Sequence, residues 1–474
     1  MSSVIKFGTD GWRAVIAEDY TFSNVRLVSQ AVAQYLNKDV GGNAPVIIGY
    51  DTRFGSEYFA QAAAEVLAAN GIKVVLTDRC TPTPAVSLAV IEQHLRGGIV
   101  ITASHNPGIW NGFKYKPDYG GSASPEVIAK IEAELAGLQP GDVQRMPIEE
   151  AKSKGLVELQ DVGPAYRKRL SELVDVEALK SRQGTVVYDA MFGAGIGHLP
   201  QLLSGGNLKV VEINNERNPI FPGMHAPEPI ALNLRKLCET VPQAGASLGI
   251  ATDGDADRVG IVDERGEFVD QLKVYALIAY YLLEVRGQRG PLVKTISQSY
   301  MVNRLGALYN VPVYETPVGF KYVGPKMMEM DAILGGEESG GFGFKGHIPE
   351  RDGTLAGLVI LDLVMHLGLP LSKVIQQIEE KVGKSYYKRI DLTFPAEQRS
   401  EIIERLRSNP PETLLGQKVV KFQTEDGFKY TLENDTWLLI RFSGTEPVIR
   451  IYTETDSPDK LDQMLNEGRK LAGV

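Results

Sequence analysis

The chain has 474 residues, too many for one compact core and enough for three or four domains at roughly 100–150 residues each. Hydrophobic residues make up 43% and charged residues 23%, and no apolar run reaches the roughly 20 residues a membrane-spanning helix needs, so composition indicates an ordinary soluble globular protein. The 50 basic and 59 acidic residues leave a net charge of −9 with no basic stripe, which argues against nucleic acid or an anionic membrane as partner.

The start, "MSSVIKFGTDGWR", passes into a Gly-rich loop without a basic-plus-apolar leader, so a cytoplasmic protein is expected. Cys80 and Cys238 lie far apart without metal-ligand spacing and are expected to be reduced, incidental thiols.

In chain order, β-branched runs recur as strand, helix, strand, helix, strand. The first copy has "PVIIGYDTR" (45–53), "GIKVVLTD" (71–78) and "GGIVITASHNP" (97–107). The second has "GTVVYDAMFGAG" (184–195), "NLKVVEIN" (207–214) and "SLGIATDGDADR" (247–258). The third has "PLVKTISQS" (291–299), "NVPVYETP" (310–317) and "AILGGEESGG" (332–341). Amphipathic stretches such as "SEYFAQAAAEVLAAN" (56–70) lie between, which predicts three α/β units with mixed or mostly parallel sheets. The run "LAGLVILDLVMHLGLPL" carries Asp362 and His366 and predicts a buried core helix. After about residue 372 the pattern changes, and the alternation in "TWLLIRFSGTEPVIRIYTETDS" predicts an antiparallel α+β domain. The expected domains are 1–150, 151–260, 261–375 and 376–474.

Each third strand ends in a polar loop, where α/β sheets collect ligands. In "DGDADR", Asp253, Asp255 and Asp257 alternate and point towards one side of an extended loop, and three hard oxygen ligands suit Mg²⁺ with room for a phosphate oxygen. An EF-hand is the rival, since Glu264 falls at the twelfth position. It fails because Arg258 replaces the turn glycine and a strand precedes the loop. Ser104 in "TASHNP" lacks the Gly-x-Ser-x-Gly setting of a hydrolase nucleophile, and its simplest reading alone is a proline turn. A serine holding a phosphoryl group needs a metal and donors, which the aspartates with His105, Lys114 and Arg258 could provide. In the third loop, Glu337, Glu338 and Ser339 suit vicinal sugar hydroxyls, while Lys345, His347 and Arg351 could meet a phosphate. "RFSGTEP" offers Arg441, Ser443, Gly444 and Thr445 as a mount for a phosphate dianion.

The loops "FGTDGWR", "TASHNP", "DGDADR", "TPVGFK", "GEESGG" and "RFSGTEP", in this order over nearly the whole chain, resemble the α-D-phosphohexomutase family. The resemblance implies four domains around a central cleft, Ser104 as phosphoserine, and Mg²⁺ held by Asp253, Asp255, Asp257 and the Ser104 phosphate. It implies sugar contacts from Glu337 and Ser339, phosphate contacts from Arg441, Ser443, Gly444 and Thr445, and catalytic positions for Arg13, His105, Lys114 and Arg258. Lys114 is expected as a general acid or base, with a pKa depressed by burial beside cations.

The implied reaction is an intramolecular phosphotransfer between glucose 1-phosphate and glucose 6-phosphate through glucose 1,6-bisphosphate. "GEESGG" and "TPVGFK" resemble the glucose-directed branch more than the Gly-Glu-Met-Ser-Gly-His of dual phosphomannomutase/phosphoglucomutases or the Gly-Glu-Gln-Ser-Gly-His of phosphoglucosamine mutases. Phe320 stands where the dual branch has a histidine, which leaves Lys321 as a possible phosphate contact. The rivals are a dual-specificity mutase, a glucose 1,6-bisphosphate synthase, a phosphoglucosamine mutase, a non-catalytic sugar-phosphate sensor and a hydrolase. A monomer or homodimer acting on small-molecule sugar phosphates is expected.

Overall fold

The structure is a computed structural model that describes residues 5–8, 10–443 and 447–474. Four sheets organise it, and in the first three the same core recurs. The strand Val46–Tyr50 lies between Val74–Thr77 and Gly97–Ile101, all parallel. Gly184–Asp189 lies likewise between Leu208–Ile213 and Leu248–Thr252. Leu292–Thr295 lies between Val313–Thr316 and Leu334–Gly336. Central strands such as "VIIGY" are buried on both faces beneath helices, and so read as continuous apolar runs rather than alternating ones.

Each repeat then adds a strand that the periodicity does not predict. Trp110–Pro117, Val259–Asp263 and Phe342–Phe344 each return antiparallel beside the third strand of their unit. The three polar loops are therefore hairpin connections at the same edge of three related sheets. Glycine content and polar side chains in "GGFGF" and "WNGFKYK" hide these strands from a reading based on β-branched runs.

The sheets overrun the expected boundaries at two places. Val157–Gln160 pairs with Val74–Thr77 and closes the first sheet beyond residue 150. The short strand Phe268–Val269 pairs with Val259–Asp263, which carries the second unit beyond 260. The helix Gly353–Leu367 is almost wholly buried, and a bend of 88° separates it from Leu371–Val382. Among the described residues no single helix is long and apolar enough to cross a membrane.

The fourth sheet is antiparallel throughout, in the order Tyr386–Thr393, Val448–Thr455, Trp437–Phe442, Phe428–Leu432, Gln417–Gln423, Thr413–Leu414. One face packs on the helix Asp459–Ala472 through Leu438, Ile451, Met464 and Leu465. Leu438 and Ile440 join this core, while Trp437 and Leu439 are buried on the other face, so alternate residues of the central strand serve two cores.

Candidate functional site

Ser104 follows the strand Gly97–Ile101, is 1% exposed and has φ +51°, a left-handed conformation unusual for a side chain with a Cβ. A buried pedestal holds it there. Arg53, with no exposed surface, donates to the carbonyls of Ser104 and Asn106 (2.6 Å each), Pro107 (2.9 Å) and Trp110 (3.0 Å). Asp51 pairs with Arg53 at 3.1 Å and accepts the Thr102 hydroxyl at 2.6 Å, while Thr102 Oγ1 accepts the Ser104 N–H at 2.8 Å. These donors over-determine the turn. Neither Asp51 nor Arg53 is apparent from periodicity; the signal is an acid and a base two apart at the buried carboxyl end of a strand.

From this pedestal Ser104 Oγ donates to Asp253 Oδ2 at 2.8 Å, with His105 Nδ1 3.2 Å away. Gly254 permits the approach, since a Cβ there would run into the Ser104 carbonyl. The first two hairpins thus meet and bring Ser104, His105 and Asp253 together.

Asp253, Asp255 and Asp257 are fully buried and offer ligand atoms within 4.8 Å of one another. Burial, then the neighbouring Asp255 and Asp257, push the Asp253 carboxyl well above the usual range. Burial also opposes ionisation of Asp255, but Lys114, Thr83 and Arg351 together outweigh it and hold that carboxyl low. Asp255 Oδ1 and Asp257 Oδ1 are buried without a hydrogen-bond partner among the described residues. Hard, unmatched oxygens in a like-charged cluster fit a small divalent cation. Thr83 Oγ1 donates to Asp255 Oδ2 at 2.5 Å, and the Asp257 and Arg258 N–H groups donate to Asp253 Oδ1 at 3.0 and 3.1 Å, fixing the loop.

Lys114 comes from the antiparallel strand Trp110–Pro117 and reaches the aspartates, but not with its expected charge balance. Its ammonium lies 2.8 Å from Asp10, 2.8 Å from Asp255 and 3.1 Å from Asp257. Burial disfavours the charged form, yet the three carboxylates win and raise its pKa above that of a free lysine. The expectation of a depressed pKa is overturned, because the charges facing Lys114 are predominantly negative. His105 is the group held neutral: burial, then Arg258, Arg13, Lys114 and Arg351, push its pKa well below the usual histidine value. Arg13 reaches Asn106 Oδ1 at 2.7 Å, and Arg258 faces Glu228 at 3.4 Å.

Arg351, expected as a phosphate contact, lies among the carboxylates of three loops. Its guanidinium meets Asp10 at 2.7 Å, Asp257 at 2.8 Å and Glu337 at 3.4 Å, so it joins the Glu337 loop to the aspartate loop. The guanidinium lies over Phe320, which is 2% exposed and part of the core, 5.7 Å from the ring centroid. Gly341 is required here, since a Cβ would overlap the Arg351 methylenes. Asp10, in "FGTDGWR", is the shared carboxylate of Lys114 and Arg351, a role that the sequence pattern does not disclose.

His347 does not meet the cleft. Its side chain has no exposed surface and Nε2 is 2.9 Å from Asp352 Oδ2, while Asp352 caps the helix Gly353–Leu367 through the Leu355 N–H. Lys345 pairs with Asp331 at the surface. Lys321, half-buried at the start of the helix Phe320–Met330, lies 5.4 Å from the Tyr322 ring centroid.

In the third polar loop Glu337 is 5% exposed and Ser339 half-buried at the turn. Glu338 points elsewhere, accepting the Tyr387 hydroxyl at 2.5 Å, with Arg389 3.6 Å away. In the fourth domain Arg441 pairs with Asp426 at 3.0 Å, and Asp426 also accepts the Val318 N–H at 2.7 Å. Ser443 is buried, and its carbonyl accepts from Arg399 at 3.0 Å, a support the sequence reading missed. Gly444 and Thr445 lie outside the described residues.

Four family models match in register. Residues 4–140 match "Phosphoglucomutase/phosphomannomutase, alpha/beta/alpha domain I", 164–266 domain II, 270–382 domain III and 397–470 the C-terminal domain. A "Phosphoglucomutase/phosphomannomutase" of Thermococcus kodakarensis is 33% identical over 98% of both chains. A "Probable phosphoglucosamine mutase" of Thermococcus gammatolerans is 31% identical over 98% of this chain and 97% of its own. The crystal structure of a candidate phosphomannomutase of Thermus thermophilus is 35% identical and superposes with a TM-score of 0.87 over 100% of both chains.

Proposed function

This chain belongs to the α-D-phosphohexomutase family of isomerase phosphotransferases, and from that premise we propose that it interconverts glucose 1-phosphate and glucose 6-phosphate through a phosphoserine at Ser104. One observation carries the reading: a strained, buried serine hydroxyl lies 2.8 Å from Asp253, beside two buried aspartate oxygens that have no partner among the described residues.

Mg²⁺ is the cation the donor set suits, held by Asp253, Asp255 and Asp257 together with a Ser104 phosphate. When bound it would neutralise charge on the transferring group. The chain's own groups do the rest. Neutral His105 takes the proton from the sugar hydroxyl as that oxygen bonds to phosphorus and the bond from phosphorus to Ser104 Oγ breaks. The Lys114 ammonium supplies a proton to the departing serine oxygen. Glucose 1,6-bisphosphate then turns over, and the same two groups run in reverse as its other phosphoryl group passes to Ser104. Glu337 and Ser339 hold sugar hydroxyls in both orientations. Arg441 and Ser443, together with Gly444 and Thr445, receive the phosphate that is not reacting, and Lys321 is a further phosphate contact. Arg13, Arg258 and Arg351 face the reacting phosphoryl group, which a closed cleft keeps from water.

Glucose is preferred on the "GEESGG" and "TPVGFK" patterns. A dual glucose and mannose mutase is the second reading, favoured by the name of the Thermococcus kodakarensis relative. Turnover of glucose, mannose and glucosamine 1-phosphates, with Mg²⁺ and glucose 1,6-bisphosphate present, separates these readings. At least tenfold higher kcat/KM for glucose 1-phosphate is expected. Equal values for mannose 1-phosphate establish the dual enzyme, and preference for glucosamine 1-phosphate overturns both.

A further inference from the structure

Lys116 and Glu350 carry charge to a place without solvent, each with a side chain 0% exposed. Two desolvated ions are tolerated only where their hydrogen-bonding capacity is well matched. Glu350 meets that condition. Its Oε2 accepts from Lys116 Nζ at 2.5 Å and Ser122 Oγ at 2.6 Å, and its Oε1 accepts from the Arg351 N–H at 3.0 Å and Nε–H at 3.1 Å.

The partners come from two units. Lys116 and Ser122 follow the Ser104 hairpin of the first unit, while Glu350 and Arg351 belong to the third. The backbone is interlocked at the same point. A Cβ at Gly121 of the first unit would lie 2.7 Å from the Pro349 carbonyl, and one at Gly324 of the third would lie 2.6 Å from it. Glu350 occupies the Arg351 Nε–H, which turns the rest of the fork towards Asp10, Asp257 and Glu337. Burial would raise the Glu350 carboxyl, but Lys116 and Arg351 hold it below the usual range and ionised.

We propose that Glu350, held by Lys116 and Ser122, is the positioning residue for Arg351, so that the guanidinium is placed at the reacting centre only when the third unit is docked on the first. The inference rests on the mutase reading for the importance of Arg351, and on geometry alone for the bridge. An amide at 350 has one acceptor end and one donor end, and cannot serve Lys116 and Arg351 together.

Two measurements test it. In the full-length protein without substrate, the Arg351 Nε–H resonance is expected to exchange slowly with solvent, and Glu350→Gln is expected to speed that exchange at least tenfold. For turnover, Glu350→Gln is expected to lower kcat by about 10- to 100-fold, the range for a misplaced positioning group. The same change in an Arg351→Met background is expected to cost less than threefold. Lys116→Met, a milder loss that serves if Glu350→Gln does not fold, is expected to move both readouts the same way by a smaller factor. Unchanged Nε–H protection in the variants, or kcat losses that multiply independently with Arg351→Met, would overturn the proposal. Absence of wild-type mutase turnover together with protection that Glu350→Gln abolishes would remove the functional reading and leave the bridge standing.

Discussion

The cleft centre and the seam between the third and fourth units both bury clusters of charge, and they are completed differently. At the seam Glu454, with no exposed surface, accepts from Ser299 Oγ (2.5 Å), Ser385 Oγ (2.6 Å), the Tyr300 N–H (2.8 Å) and Trp437 Nε1 (2.7 Å). Beside it Lys429 donates to the Ile296 carbonyl at 2.6 Å and to Glu315 at 2.9 Å. In the centre, by contrast, Asp255 and Asp257 each keep an oxygen without a partner among the described residues. A polar cluster with every group matched rigidifies, whereas one left unmatched stores unfavourable energy that a ligand can relieve. The two buried lysines show the same contrast. Three carboxylates raise Lys114, while burial and the neighbouring Lys294 outweigh Glu315 and lower Lys429 to about 8.

The comparison is broken most severely at Ser104. Ser104→Ala is expected to reduce mutase turnover on the order of 10⁴-fold or more, with no phosphorylated species in intact-mass spectra and an unchanged melting temperature. Next in size is removal of the divalent cation. Chelation is expected to lower kcat roughly 10²- to 10³-fold, reversed by Mg²⁺, and Asp257→Asn is expected to prevent the recovery. The seam responds in stability instead. Glu454→Ala leaves four buried donors unmatched and is expected to cost about 3 kcal/mol or more in denaturant unfolding, with kcat changed far less than by either cleft variant.

The smallest effect is a pH dependence at the seam. Lys429 has a folded pKa near 8 against roughly 10.4 in an unfolded chain. Between these values the unfolded state binds more protons, so stability rises with pH across that window. Glu315, where burial is outweighed by Lys294 and Lys429, is lowered to about 2, so its contribution is present above about pH 4.3 and is lost as pH falls towards 2. Amide exchange in residues 428–432 is expected to slow between pH 8 and 10 after correction for intrinsic rates. Lys429→Met is expected to remove that trend; if the trend persists, another group is responsible.

Much of the site was legible in the sequence because chemistry interrupts periodicity there. A buried apolar strand that ends in Ser104 and His105, and another that ends in alternating aspartates, have no packing reason to do so. The antiparallel strands Trp110–Pro117 and Phe342–Phe344 were not legible, since glycine and lysine weaken the β signal where the chain must pass close to other backbone. His347 carried the right chemistry for a phosphate contact, but helix capping by Asp352 claimed it.

Local order along the chain therefore determined the three repeated α/β units, the antiparallel fourth domain and the positions of the polar loops, because side-chain periodicity is a nearest-neighbour property. Tertiary structure alone decided that Lys114 is charged, that Arg351 meets Asp10 and Asp257, and that Arg53 and Glu350 support loops distant in sequence. Each of those outcomes is a sum of desolvation and Coulomb interactions over residues from different units, and distances between units are not written in the order of residues.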